Sequence, residues 1–144
     1  MRNTWRANLN DLLVQRDRLL DLYHGDFLER ENPHPWALRY QERLRCRLLN
    51  VVDELGRRLE AGELWRKAAK HYQHAIALEP LSERYYRRLM VCLQKLGERA
   101  EALRVYGRCR DLLRTALQVE PSARTESIRE SIEGLAVNPG GSAS

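Results

Sequence analysis

The 144-residue chain reads as all-α: a stack of antiparallel helical hairpins, about six helices in all, closed by a C-terminal capping helix. Three observations predict this. Apolar residues recur at steps of three and four along most of the chain, the period of a helix buried on one face. Sustained period-2 alternation is absent, and Val, Ile and Thr are sparse, so strands have little support. Two stretches, beginning near Val52 and Tyr86, repeat the same residue chemistry 34 positions apart.

The elements follow in order. Trp5, Leu9, Leu12, Leu13, Leu19, Leu20 and Tyr23 form the stripe of a first helix over about 4–23, and Gly25 follows where a left-handed helix end favours glycine. The stretch LYHGDFLERENPHPW, from Leu22 to Trp36, then reads as a corner. Phe27 and Leu28 are expected to plug the groove between the first and second helices, with Trp36 clamping the same place. Pro35 suits a first helical turn, where its missing N–H would be unbonded anyway. Trp36, Tyr40, Leu44, Leu48, Val52, Leu55 and Leu59 are expected to form one core stripe of a long helix that Gly62 ends. Helices are then expected over about 64–78, stopped by Pro80; over 82–96, ended by Gly97; and over 98–118, broken by Pro121. Ser122 can N-cap a last helix bearing Ile128, Ile132 and Leu135. One domain is expected over 1–136, and the Gly/Ser/Pro-rich tail over 137–144 should be disordered.

Two hairpins, about 49–80 and 83–114, superpose at the 34-residue shift. Val52 maps to Tyr86, Leu55 to Leu89, Leu59 to Leu93, Ala68 to Ala102, Tyr72 to Tyr106 and Ala75 to Cys109. The spacing resembles the tetratricopeptide pattern. Antiparallel helices approach closely only where one carries small residues; Ala68, Ala75 and Ala102 are those sites, with Gly56 opposite in the first copy. Val52 and Met90 depart from the pattern's aromatic and glycine. Arg114 stands where a second proline would fall, which fits a helix that continues through Leu113, Ala116 and Leu117. One repeat pair cannot hide its apolar faces, so the flanking helices are expected to cap the stack.

Composition narrows the function. A chain 43% hydrophobic and 31% charged reads as a charge-coated helical protein rather than a disordered one. No apolar run approaches the roughly 18 residues of a membrane span, and MRNTWRANLN lacks the apolar centre of a secretory signal. Cys46, Cys92 and Cys109 have no CxxC spacing, so a reducing cytoplasm fits, with the cysteines as small buried apolar residues and a redox-sensing thiol as the alternative. Of the 25 cations all but Lys67, Lys70 and Lys95 are arginine, and the net charge of +5 permits nucleic-acid contact without establishing it.

Chemistry finds few candidates. His24 and His34 bracket the corner with Asp26, Glu29 and Glu31, but two histidines ten apart without a third fixed ligand are weak evidence for a metal, and solvated loop histidines are expected. His71 and His74, at i and i+3, could place two imidazoles on one metal, but they flank Ala68, Tyr72 and Ala75 and are expected to point outward. No nucleophile elbow, phosphate loop or dinucleotide fingerprint occurs, and the carboxylates lie on arginine-rich faces that keep them ionised. No catalytic residue, cofactor or metal is therefore expected. Arg39, Arg43 and Arg47 share one ridge of the long helix, where like charges at i, i+4 cost a few tenths of a kcal/mol each. That cost points to an anionic partner, phosphate included. Against it stand Glu42 beside the ridge and the expected burial of Trp36 and Tyr40.

The layout from about Leu19 to Ile132 resembles the bacterial transcriptional activator domain of AfsR/DnrI/RedD-like regulators. The residues that carry the resemblance are Leu22-Tyr23-x-Gly25-Asp26-Phe27-Leu28, then Trp36 opening a long Arg/Leu helix. Ala100-Glu101-Ala102-Leu103-Arg104-x-Tyr106, Leu112-Leu113 and Val119-Glu120-Pro121-Ser122 complete it. The resemblance implies a tetratricopeptide-like module that mediates protein contacts, oligomerisation or control of activation, with DNA bound through a separate winged-helix domain. The chain is accordingly expected to be a fragment of a longer regulator or a stand-alone module.

By the same resemblance the first helix of each hairpin forms the inner face. Asn50, Asp53 and Arg57 would line it in the first copy, and Arg84, Arg87, Val91 and Lys95 in the second. That face is cationic and suits an acidic peptide or helix. It departs from the carboxylate clamp of chaperone-binding relatives, since Asp53 and Arg57 stand where lysine and asparagine would be expected. A solvated face that binds nothing is the alternative. The expected partner is protein: another domain of the same regulator, a second copy or the transcription machinery, with no membrane involved. The second function reading is a nucleic-acid-binding accessory using the arginine ridge.

Overall fold

The computed structural model describes residues 2–25 and 35–141, with side chains described over 8–23 and 35–134. It contains α1 (Arg2–Gly25), α2 (Pro35–Ala61), α3 (Trp65–Leu78), α4 (Glu83–Lys95), α5 (Arg99–Leu117) and α6 (Ala123–Gly141). Among the described residues there is no strand. Pro80, Gly97 and Pro121 punctuate the chain where expected, because proline lacks the donor a helix interior needs and glycine accepts the left-handed turn that ends one. The corner over 26–34, with the plug expected of Phe27 and Leu28, lies outside the described residues.

Contacts divide the chain into two compact units, residues 1–61 and 62–144. In the first, α1 packs on α2. In the second, α3 packs on α4, α4 on α5, and α6 on both α4 and α5. The links at 79–82 and 96–98 are short, which makes successive helices antiparallel neighbours. α6 touches both helices of the preceding hairpin, the place that the first helix of another repeat would take. One domain was the expectation over 1–136; hairpin stacks hold together by nearest-neighbour contacts, so they divide between elements more readily than a globule with one core. The expected tail boundary at 137 falls inside α6, and residues 142–144 lie outside the described residues.

The 34-residue repeat is present in burial and in backbone. All of Val52 and Tyr86, Leu55 and Leu89, Leu59 and Leu93, Ala68 and Ala102, Tyr72 and Tyr106, and Ala75 and Cys109 are buried. Glu63 and Gly97 are equivalent positions, and both take left-handed backbone, φ 55° and 78°. Leu64 and Glu98 after them share φ/ψ of −87°/63° and −94°/66°. The carbonyls of this second pair accept from the amides of Ala68 and Ala102 at 2.8 and 3.0 Å. The second copy then departs as expected at Arg114, and α5 runs on to Leu117. Gln118 closes it in left-handed backbone, φ 54°, with its N–H on the Arg114 carbonyl at 3.2 Å and the Val119 N–H on the Leu113 carbonyl at 3.3 Å.

Three expectations fail. Trp36 and Tyr40 are not in the core: they are 58% and 43% exposed, and Ala37 takes the place given to Trp36. The buried stripe of α2 is Ala37, Leu44, Leu48, Val52, Leu55 and Leu59. The reason is helical pitch. Each step of four residues rotates about 40°, so the run Trp36, Tyr40, Leu44, Leu48, Val52 sweeps about 160° and cannot share one face. His71 points inward, 5% exposed, with its ring edge-on to Tyr72 at 5.4 Å between centroids. His74 is exposed, so the two imidazoles do not point out together. Cys46 is exposed, whereas Cys92 and Cys109 are buried as expected.

The two equivalent turns give substitutions of opposite sign. A Cβ at Gly97 would meet nothing within 4 Å, so Gly97→Ala adds backbone strain alone. It should lower stability by about 1–2 kcal/mol. Glu63→Gly should raise it by up to about 1 kcal/mol, because that strain is already present there. Urea unfolding of the two variants beside the parent checks both signs.

Candidate functional site

The residues expected on α4 fall on one strip of it. The other side of the helix buries Tyr85, Tyr86, Leu89, Met90, Cys92 and Leu93. On the open strip, the Arg84 guanidinium carbon lies 5.0 Å from the Tyr85 ring centroid, and Arg84 Nη2 donates to the Tyr85 hydroxyl oxygen at 3.1 Å. Lys95 Nζ lies 5.7 Å from the ring centroid of Trp65, on α3. Val91 sits half-buried between them. A cation held over a ring keeps its charge outward while its aliphatic stem is packed.

Arg87 belongs to a different structure. It is half-buried at the junction with α6, with Nη1 3.6 Å from Glu83 Oε2 and donating to Ser122 Oγ and Thr125 Oγ1, each at 3.4 Å. Glu83 Oε2 accepts the Ser122 backbone N–H at 2.7 Å and the Thr125 hydroxyl. Ser122 caps α6 as its sequence position predicts, its Oγ accepting the Thr125 N–H at 3.4 Å. Burial pushes the Glu83 carboxyl up, but the bonds from Thr125 and Ser122 and the charge of Arg87 outweigh it and hold the carboxyl below its usual value. A second tie lies close by: the Tyr106 hydroxyl donates to the Glu126 carboxylate, and Arg110 and Arg129 stand 5.8 and 5.5 Å from the Tyr106 ring centroid. The expectation of Arg87 as an open cation is thus corrected. The signal for this junction was the Ser122 cap; that Glu83 would complete it depended on two helices meeting.

On α2, Asn50 is exposed and Asp53 half-buried. Arg57 Nη2 lies 2.6 Å from Glu54 Oε2, and Arg58 Nε 3.0 Å from Glu54 Oε1. Hydrogen bonds from Arg57 first, then Arg58, lower the Glu54 carboxyl below its usual value. The cation expected at Arg57 is therefore matched by a carboxylate the sequence reading left out. Further up the same helix, Arg39, Arg43 and Arg47 are all exposed.

A cleft of about 690 Å³ opens where α3, the end of α4 and the start of α5 meet, lined in part by Arg66, Lys70, Gln73, Leu96, Glu98 and Arg104. Arg66 Nη2 pairs with Glu98 Oε1 at 3.0 Å, and Arg104 Nη1 with Glu101 Oε2 at 2.9 Å. Nothing in the spacing of these residues marked them in sequence. Of the cysteines, burial pushes the Cys109 thiol up to about 12, which leaves it protonated and unreactive at neutral pH.

The family model described as "Bacterial transcriptional activator domain" matches residues 11–133. The chain belongs to this family. It is 34% identical over 126 residues to the regulatory protein AfsR of Streptomyces coelicolor, and 33% identical over 117 residues to the regulatory protein AfsR of Streptomyces griseus. These alignments cover 85% and 81% of this chain and 12% of each relative, so the chain spans about an eighth of their length. As a bacterial transcriptional activator domain it is all-α and built of tetratricopeptide-like hairpins. No helix among its described residues is long and apolar enough to cross a membrane.

The Glu83 junction should make this bacterial transcriptional activator domain acid-sensitive. The folded carboxyl titrates below its unfolded value, so its stabilisation is present above the unfolded pKa and lost as pH falls through the folded one. Glu83→Gln should cost about 2 kcal/mol at pH 7, the scale of bonds to a charged acceptor. It should also flatten the fall in stability below about pH 4.3. Thermal melts of parent and variant across that range measure both effects.

Proposed function

We propose that this chain is the protein-interaction module of a bacterial transcription regulator, acting in the cytoplasm by contact and without chemistry of its own. Its occupant is an acidic protein segment, from another domain of the same regulator, a second copy, or the transcription machinery. The family and the regulatory relatives support the transcriptional setting. The observation that carries the contact is the strip of α4, where Arg84 and Lys95 stand on Tyr85 and Trp65. Two cations held by rings on packed helices lose little side-chain freedom when an acidic partner docks, which is where long cationic side chains usually forfeit affinity. Val91 between them adds a small apolar contact. Arg87 supports the strip from below by tying α4 to α6.

The test is a titration of the purified chain with a labelled glutamate-rich helical peptide, beside a sedimentation series that reports self-association. The parent should bind at low ionic strength or self-associate. Arg84→Glu with Lys95→Glu should weaken that association at least about tenfold, or about 1.4 kcal/mol. Lys67→Glu, on the exposed side of α3, should leave it nearly unchanged. Equal behaviour of the double variant and the parent would remove the α4 strip from the reading.

A further inference from the structure

We infer that the outward face of α2 between Trp36 and Asn50 is a seat for the phosphate backbone of DNA. At about 100° per residue, Trp36, Arg39, Tyr40, Arg43, Arg47 and Asn50 gather on one side of α2, away from the buried stripe of Ala37, Leu44 and Leu48. All six are exposed. No hydrogen bond or ion pair engages Arg39, Arg43 or Arg47 among the described residues. This sets them apart from Arg57, Arg104, Arg114 and Arg129, each held by a carboxylate within 3.0 Å. Glu42 is the carboxylate nearest in sequence; it lies on the flank, 3.2 Å from Arg45 Nη1.

Three cations at i, i+4 spacing repel one another, and a polyanion relieves that repulsion. The arginines rise about 6 Å per step along α2. Phosphates rise about 3.4 Å along one strand, so the ridge can meet roughly every second one. Guanidinium groups are weakly hydrated and fork onto phosphate oxygens, which favours arginine over lysine for this use. DNA fits better than an acidic protein because no aliphatic side chain lies among the arginines. A protein seat has an apolar centre that excludes water; here the uncharged members are an indole, a phenol and an amide. Exposed rings beside cations suit sugars and bases. The buried Trp36 and Tyr40 of the sequence expectation would have removed this possibility, and their exposure restores it. The contact is independent of the α4 strip, since it uses other residues and another ligand.

The test is fluorescence anisotropy of a labelled DNA duplex titrated with the chain over about 50 to 200 mM salt. The parent should bind at the low end, with affinity falling steeply as salt rises. Arg39→Gln/Arg43→Gln/Arg47→Gln should make the slope of log affinity against log salt about 2.7 shallower and weaken binding at least about tenfold at 50 mM. The triple Arg→Lys variant should keep the slope. Arg18→Gln/Lys67→Gln/Arg124→Gln, which removes the same charge from exposed positions on three other helices, should keep slope and affinity close to the parent. Circular dichroism melts should be alike for all four proteins. The proposal is overturned by no binding at 50 mM salt, by equal losses in the ridge and control triples, or by a ridge triple that binds DNA like the parent while losing a polyglutamate peptide.

Discussion

Ala68 on α3 and Ala102 on α5 have no exposed surface at all, and the hairpin stack of residues 62–144 depends on them. Helix axes come close only where the facing side chain is little more than a Cβ. A larger residue at either position would push its helix outward or force its neighbours off their rotamers. Tyr72 and Tyr106 fill the space one turn along, both buried, and Tyr72 lies 6.4 Å from Tyr85 between ring centroids. The small-then-large pattern occurs twice, each time after the same backbone turn.

A stack of this kind needs an end. α6 supplies it in the second unit, where polar ties at its start join the buried Ile132 in attaching it. One carboxylate, Glu83, accepts the amide of Ser122, the capping residue just before α6, while Thr125 is fully buried beside it. A negative group at a helix N-terminus is favourable on its own account, because the unpaired amides there carry partial positive charge. The attachment is also directional, since hydrogen bonds among Glu83, Arg87, Ser122 and Thr125 permit one docking angle where an apolar contact would permit several.

The arginines divide by what their neighbours do to them. Arg57, Arg58, Arg104, Arg114 and Arg129 are answered by carboxylates on their own helix or just beyond its end. Arg87 is turned inward to hold α6. Arg84 is laid over a ring. Arg39, Arg43 and Arg47 are left to solvent. A net charge of +5 says nothing about this division, because it counts cations without saying which of them a carboxylate or a ring meets. Two surfaces of different character result: a strip on α4 with cations braced by aromatics, and a ridge on α2 whose cations meet no carboxylate among the described residues.

The amino-acid sequence by itself determined the helical class, the helix limits to within a residue or two from α3 to α5, and the repeat with its buried positions. Those depend on local matters: proline and glycine at the ends, Ser122 at a cap, small and large residues at set intervals. The tertiary structure decided which way the marginal residues face. Trp36 and Tyr40 carry the right chemistry for a core but the wrong angle, and His71 has the wrong chemistry but the right angle. Arg87 and Lys95 lie on one strip of α4, yet one meets α6 and the other meets Trp65. A side chain's type sets what it prefers to touch, whereas helical rotation and the arrival of a distant helix set what it can reach. Rotation follows from spacing, as the sweep from Trp36 to Val52 shows; only the arrival of a distant helix depends on contacts between residues far apart in the chain, and that part could not be read from spacing alone.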